Sequence, residues 1–367
     1  MSEVLDRLRA RLESQGLQQA VLSHPETLAH LTGFEQPFED WPVSDPFTAA
    51  PPLLVLTRDD ATLLVPTFYA TAVADTSPLP VVVARTHAFV GTPPDAVAEL
   101  ERTLEIPPGK TGVEARALPL RVGELLRERG AELVPVDGLV VEARRRKLPV
   151  EVEAIRRASR LADVVQQAVK DEARPGRSEA EVAGLALAAM YREAGRRVPA
   201  VLTVTAGEAT GTGGDVAGAR ELREGDLVLT DTSPWMAGAW SDTANAVVVG
   251  DPTGEQRQIF DAVRAALERA ISLSRPGAVA GEVDRAVREE LSGWGPTYAH
   301  HTGHGVGASW CERPLLIPGS EDVIEEDMVL AVEPAVYREG WGGIRLEHVF
   351  VVRASGNEVL TRFQHTL

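Results

Sequence analysis

The stretch LTDTSPWMAGAWSDTANAVVVG places Asp231 and Asp242 on what read as two adjoining strands, and HHTGHGVG, AVEP and IRLEH further along supply His304, Glu333 and Glu347. Carboxylate oxygens suit hard divalent cations, and one imidazole nitrogen fits manganese, iron, cobalt or zinc. Four carboxylates and one imidazole would make a cage for two such ions, their four negative charges balancing two dications. A cation pair of that kind brings water to its hydroxide form near neutral pH. The five residues lie on separate segments, and no single local motif joins them.

The elements that must position them occupy the later part of a 367-residue chain, 44% hydrophobic and long enough for two domains with separate cores. Residues 1–140 alternate β-rich runs, LLVLT, TLLVP, VVVAR and ELVPVDGLVV, with helical stretches such as Ala96 to Leu104, and read as an α/β domain. A second domain, 141–367, opens on LPVEVEAIRRASRLADVVQQAV, where Val152, Ile155, Ala158, Leu161, Ala162 and Val165 follow helical spacing. The basic run Arg144, Arg145, Arg146 and Lys147 just before it reads as a solvated helix entry. Ser178 with Glu181, and Thr253 with Gln256, fit capping boxes opening two further helices. Strands fall between them as two groups that look like copies: LREGDLVLTD, Leu222 to Asp231, parallels IEEDMVLAVE, Ile324 to Glu333, each ending on an acid. A following strand then brings a second acid, Asp242 or Glu347. Two similar halves, each offering two carboxylates to a shared centre, would give a dinuclear site by pseudo-twofold symmetry, and acids aligned within apolar strands need a cation to offset their burial.

Composition excludes several classes. A formal charge of -17 argues against nucleic-acid binding. No apolar run approaches the roughly 20 residues that cross a bilayer, and MSEVLDRLRARLESQG reads as an amphipathic helix and not a signal peptide. Cys311 is the one cysteine, so an intrachain disulfide is excluded and a reducing, cytoplasmic location is expected.

With the five residues in place, the C-terminal two thirds resembles the pita-bread metallohydrolases, the group of methionine aminopeptidases, Xaa-Pro aminopeptidases, prolidases and the metal-free creatinase. The first domain, with HLTGF from His30 to Phe34, resembles the creatinase-type amino domain. The resemblance implies a creatinase-like α/β domain followed by a pseudo-twofold, mostly antiparallel sheet with covering helices. It implies two divalent ions, manganese, cobalt, zinc or iron, on Asp231, Asp242, His304, Glu333 and Glu347, with Glu333 also shuttling the proton. The activity implied is hydrolysis of the bond before proline in a short peptide by a homodimeric Xaa-Pro dipeptidase. The rivals are an Xaa-Pro aminopeptidase on longer peptides, a hydrolase or lyase on a small non-peptide substrate, and a scaffold that has lost catalysis.

Around the ligands, GWGGIRLEH resembles the family's Gly-Gly-Val-Arg-Ile-Glu pattern, so Arg345 is expected to orient a metal carboxylate such as Asp242. His300 matches a family position four residues before His304, whereas His301 and His348 are given structural places. Three departures stand out. The family's Val-His-Glu reads Trp310, Cys311, Glu312; its Pro-His segment reads GTGGDV, with Gly214 near the place of a second histidine; and its Asp-x-Thr-Arg reads Asp242, Thr243, Ala244, Asn245. Loss of both histidines removes donors to the substrate carbonyl, which something else must replace. Cys311 is a candidate covalent nucleophile and substrate contact there, although no local pattern supports a nucleophile and a small buried thiol is the ordinary reading. Trp235, Trp240 and Trp310 are candidates to wall a proline pocket. The Pro-rich segment GFEQPFEDWPVSDPFTAAPP offers Glu35, Glu39, Asp40 and Asp45 for a substrate ammonium group, with Trp41 as a cover, reaching an active site across a dimer interface.

Overall fold

In the computed structural model, which describes residues 2–35, 51–74, 76–84, 99 and 102–367, the chain divides into two units, Met1–Arg144 and Arg145–Leu367. The division falls slightly beyond residue 140 because a short helix, Asp137–Arg144, belongs to the first unit. Glu39, Asp40, Trp41 and Asp45, and most of the Ala96 to Leu104 stretch, lie outside the described residues.

Short apolar runs with turn residues between them build the first unit as strands. Its elements are α1 (Ser2–Ser14), β1 (Gln19–Leu22), α2 (Pro25–Thr32), β2 (Leu53–Thr57), β3 (Ala61–Pro66), α3 (Ala70–Ala74), β4 (Val81–Ala84), β5 (Gly109–Val113), α4 (Leu120–Glu128), β6 (Ala131–Pro135) and α5 (Asp137–Arg144). The six strands form one mixed sheet in the order β4-β3-β2-β1-β5-β6. Val122, Leu125 and Leu126 put the apolar stripe of α4 against Val21, Leu53, Val55, Leu64 and Val113 of that sheet.

The second unit runs twice through helix, helix and antiparallel strands. The first pass is α6 (Pro149–Glu172), α7 (Glu179–Ala194), β7 (Ala200–Ala206), β8 (Leu227–Met236), β9 (Ala239–Trp240) and β10 (Thr243–Val248). The second is α8 (Gly254–Leu273), α9 (Ala280–Leu291), β11 (Gly303–Gly305), β12 (Glu312–Leu316), β13 (Val329–Val332), β14 (Ala335–Arg338), β15 (Gly342–Arg345), β16 (His348–Val351) and β17 (Glu358–Val359). One sheet has the order β10-β8-β7, another β12-β11-β13-β16-β17, and β14 pairs with β15. Every strand pairing described in this unit is antiparallel.

Local chemistry explains the helix starts. Ser178 and Thr253 each accept the N–H of the residue three further on, while the Glu181 and Gln256 side chains accept the cap N–H in return. The six apolar positions of α6 expected to face the core are all buried. Lys147 departs from the expected solvated entry to that helix: its ammonium is buried and donates to Glu312 Oε2 at 2.8 Å. The chain enters α6 beneath the 307–312 loop, so this lysine needs an interior partner. Among the described residues, no helix is long and apolar enough to cross a membrane.

Candidate metal centre

The site forms where the two passes meet, and main-chain bonds hold the meeting point. The β8–β10 register sets Ala244 opposite Asp231 and Thr243 opposite Thr232, leaving Asp242 just off the ladder, where its Oδ1 accepts the Ser233 hydroxyl at 2.9 Å. Glu347, between β15 and β16, donates its N–H to Ala244 O at 3.0 Å and accepts the Thr243 hydroxyl on its own carbonyl at 2.9 Å. The strand that follows Asp242 is thereby tied to the Glu347 main chain of the other pass. Glu333 follows β13 and donates its N–H to Thr302 O at 2.8 Å. His304 lies at the centre of β11, sandwiched between β12 and β13. A methyl group on Gly303 would come within 2.3 Å of Ala331 O, and one on Gly305 within 2.6 Å of Arg313 O, so the flanking strands admit only glycine beside the histidine.

The donor atoms converge. Asp231, Glu333 and Glu347 each offer one within 4.8 Å of the others; so do Asp242, His304 and Glu347, and also His301, His304 and Glu333. His304 Nδ1 lies 2.9 Å from Gly305 O, so as N–H it donates there and leaves Nε2 a lone pair facing the acids. That Nε2, and both oxygens of Glu347, are buried without a hydrogen-bond partner, on residues 0% and 1% exposed. Orphaned buried atoms cost about 1–3 kcal/mol each, and several meeting at one point are unusual without a ligand. Hard oxygens plus imidazole, with those lone pairs unused, are the donor set a divalent cation requires.

Electrostatics tells the same story. Burial first, and then the charges of Asp242, Glu333 and Asp231, push the Glu347 carboxyl well above the usual carboxylate range. Asp231 rises to about 8, burial outweighing the attraction of Arg345. Glu333 goes the other way despite its burial, drawn down by the His301 hydrogen bond and by Arg345. Like charges this close cannot all ionise without compensation.

Arg345 does pair with an acid of the cage, but with Asp231 and not with the expected Asp242: its Nη2 donates to Asp231 Oδ2, and its Nε stands 3.6 Å from Glu333 Oε2. Strand β15 carries the guanidinium to Gly213 O, at 2.8 Å, on the Asp231 side. The place beside Asp242 is taken by Trp310, whose indole N–H donates to Asp242 Oδ2 at 2.6 Å.

The remaining expected residues are placed as follows. His300 is tied by Nδ1 to His301 O at 2.7 Å and by Nε2 to the Tyr337 hydroxyl at 3.1 Å. His301, given a structural place in the sequence, reaches the cage directly, its Nε2 2.7 Å from Glu333 Oε1. Two adjacent histidines were hard to tell apart because only the backbone turn decides which ring faces inward. Cys311 is exposed and not a buried thiol, and desolvation together with the charges of Glu333, Asp242 and Glu312 pushes it up to about 11, which argues against a thiolate nucleophile. Trp235 is buried 6.1 Å from the Trp240 ring, and the Trp240 backbone N–H donates to Gly307 O at 2.7 Å, on the loop after His304.

Residues 153–354 match the model of metallopeptidase family M24, and residues 5–146 that of the creatinase/prolidase N-terminal domain. The chain belongs to metallopeptidase family M24 and has its pita-bread fold behind a creatinase-like domain. It is 28% identical over 372 residues to the Xaa-Pro dipeptidase of Pyrococcus furiosus, with all of both chains covered. To the Xaa-Pro dipeptidase of Pyrococcus horikoshii it is 30% identical over 261 residues, 70% of this chain and 74% of that one. The solved prolidase from Pyrococcus furiosus superposes with a TM-score of 0.78 at 26% identity, over 96% of this chain and 99% of that one.

Proposed function

We propose that this metallopeptidase is an Xaa-Pro dipeptidase, cleaving the bond before proline in short peptides, with two divalent cations held by Asp231, Asp242, His304, Glu333 and Glu347. The observation that carries it is the set of orphaned buried atoms, Glu347 Oε1 and Oε2 and His304 Nε2, facing one another across an acidic cage. Bound there, divalent cations supply hydroxide near neutral pH and polarise a carbonyl. The names of the relatives support the substrate class.

The chain's own residues then do the following. Glu333, beside the Arg345 guanidinium, takes a proton from the attacking water and passes it to the leaving proline nitrogen. Arg345 holds Asp231 in orientation, and Trp310 does the same for Asp242. Trp310, 42% exposed, and the half-buried Trp240 are the wall offered to a proline ring, with His300 and Cys311 at the rim, and the enzyme is a homodimer. The single cysteine and the charge of -17 support a cytoplasmic enzyme with no nucleic-acid partner.

The test is hydrolysis of an Xaa-Pro dipeptide and of an Xaa-Pro-Yaa tripeptide by chelator-stripped enzyme, before and after addition of manganese, cobalt, zinc or iron. Metal-restored turnover favouring the dipeptide is expected. Faster release from the tripeptide makes the enzyme an aminopeptidase, and no turnover of either with full metal loading rejects the proline-peptidase reading.

A further inference from the structure

His301 is one residue from a histidine whose nitrogens are both engaged, yet its own ring turns into the cage. Its Nε2 is 2.7 Å from Glu333 Oε1, the same oxygen that lies 3.9 Å from His304 Nε2. The His301 and His304 rings meet edge to face, 84° apart with centroids at 4.8 Å, and donor atoms of His301, His304 and Glu333 all lie within 4.8 Å of one another. We propose that His301 is an additional metal ligand, joining His304 and Glu333 so that one of the two cations is held by two imidazoles; the proposal rests on the metal-centre reading above.

A flexible surface histidine beside an acid would not support this. The segment bearing His301 is pinned on both sides. Thr302 accepts the Glu333 N–H on its carbonyl at 2.8 Å, and its hydroxyl donates to buried Asp284 at 2.6 Å and lies 2.5 Å from the Tyr298 hydroxyl. Arg288 donates to Tyr298 O and His300 O, both at 2.7 Å, and to Asp284 at 2.8 Å, with its guanidinium over the Tyr298 ring. The backbone that carries His301 is therefore held in place beside Glu333 by a buried network, and its ring is presented to the cage from a fixed stem.

The chemistry has a selectivity consequence. A second neutral imidazole leaves the charge balance of the cage unchanged and makes one position borderline-soft, favouring zinc, cobalt or iron over manganese there.

Zinc alone is the probe, added to the full-length chain and its variants. Histidine-selective nitrogen-15 NMR of protein with two zinc equivalents is expected to show two zinc-bound imidazoles in wild type and one in His301→Gln, whose amide preserves a hydrogen bond to Glu333. By titration calorimetry, His301→Gln is expected to weaken one zinc by more than about 100-fold, beyond the roughly 10–100-fold that loss of a mere hydrogen-bond partner to a ligand costs. His301→Asp, which restores a donor oxygen, recovers part of that affinity. One zinc-bound imidazole in wild type, unchanged in His301→Gln, overturns the proposal. Failure of wild type to take up zinc at all, with no bound imidazole, overturns instead the metal-centre reading on which it rests.

Discussion

Replacing Glu347 with leucine separates what the cage does for chemistry from what it does to the fold. The carboxyl is 1% exposed, neither oxygen has a hydrogen-bond partner, and burial with the neighbouring acids pushes its pKa well above the ordinary range, so the metal-free protein holds an unsatisfied polar group there. An unsatisfied buried polar group costs about 1–3 kcal/mol, and leucine of similar volume removes it without opening a cavity. Metal-free Glu347→Leu is therefore expected to be more stable than wild type by about 1–3 kcal/mol. For a unit the size of Arg145–Leu367 each kcal/mol is worth roughly 2–4 °C, so its melting temperature rises by about 2–12 °C. With saturating metal the order reverses, since wild type gains about 4.1 kcal/mol at about 1,000-fold excess over the dissociation constant and the variant gains little. Calorimetric scans with chelator and with zinc measure both arms. A metal-free variant that melts lower than wild type would refute the reasoning, because the carboxyl would then be making stabilising interactions.

Other expectations follow from neighbouring groups. Asp231 and Glu347, with folded pKa values raised, keep protons that the unfolded chain has released above about pH 4.5, so metal-free stability falls as pH rises. His348 and His365, held down at about 4 and about 3 by burial, act in the opposite sense only below about pH 6.5, whereas His304, raised despite its burial by Asp242 and Glu333, acts in the same sense as the carboxyls, so scans from pH 6.5 to 8 read these cage groups together. The expected slope is about 1.4 kcal/mol per pH unit for each retained proton, and a flat profile counts against it. Lys147→Met leaves Glu312 charged in the interior and is expected to cost about 3–5 kcal/mol in urea unfolding, while Lys147→Met with Glu312→Leu returns close to wild type; a single-variant cost under about 1 kcal/mol rejects this account. Trp310→Phe keeps the ring and loses the bond to Asp242, so zinc affinity should fall about 10–100-fold by calorimetry, and unaltered affinity would show that the bond is absent in the loaded enzyme.

The acids were readable because each interrupts an apolar strand, where a carboxylate is conspicuous: Asp231 in LVLTDTS and Glu333 after MVLAV. Their convergence was not, since it depends on Glu347 bonding to Ala244 and Thr243, over a hundred residues away in the chain. The resemblance to a family supplied that gathering. The partner of Arg345 was misjudged for a related reason, as sequence proximity to Glu347 says nothing about which acid the guanidinium meets across the sheet. Lys147 looked like part of a surface cluster because its partner, Glu312, is 165 positions distant. Strands β1 and β5 escaped notice for local reasons: QAVL is only four residues long, and GKTGV contains two glycines and a lysine, none favouring a strand.

Helix α9 carries two kinds of ion pair on opposite sides. Inward, Asp284 and Arg288 clasp the 298–302 segment; outward, Arg285 bridges Glu282 and Glu289 with more than half of each side chain in solvent. Exposed pairs of that sort contribute at most about 1 kcal/mol. Over evolutionary time the two sides of this one helix should consequently drift at different rates: descendants of this enzyme can exchange 282, 285 and 289 almost freely, whereas 284 and 288 can change only together with the peptide they grip.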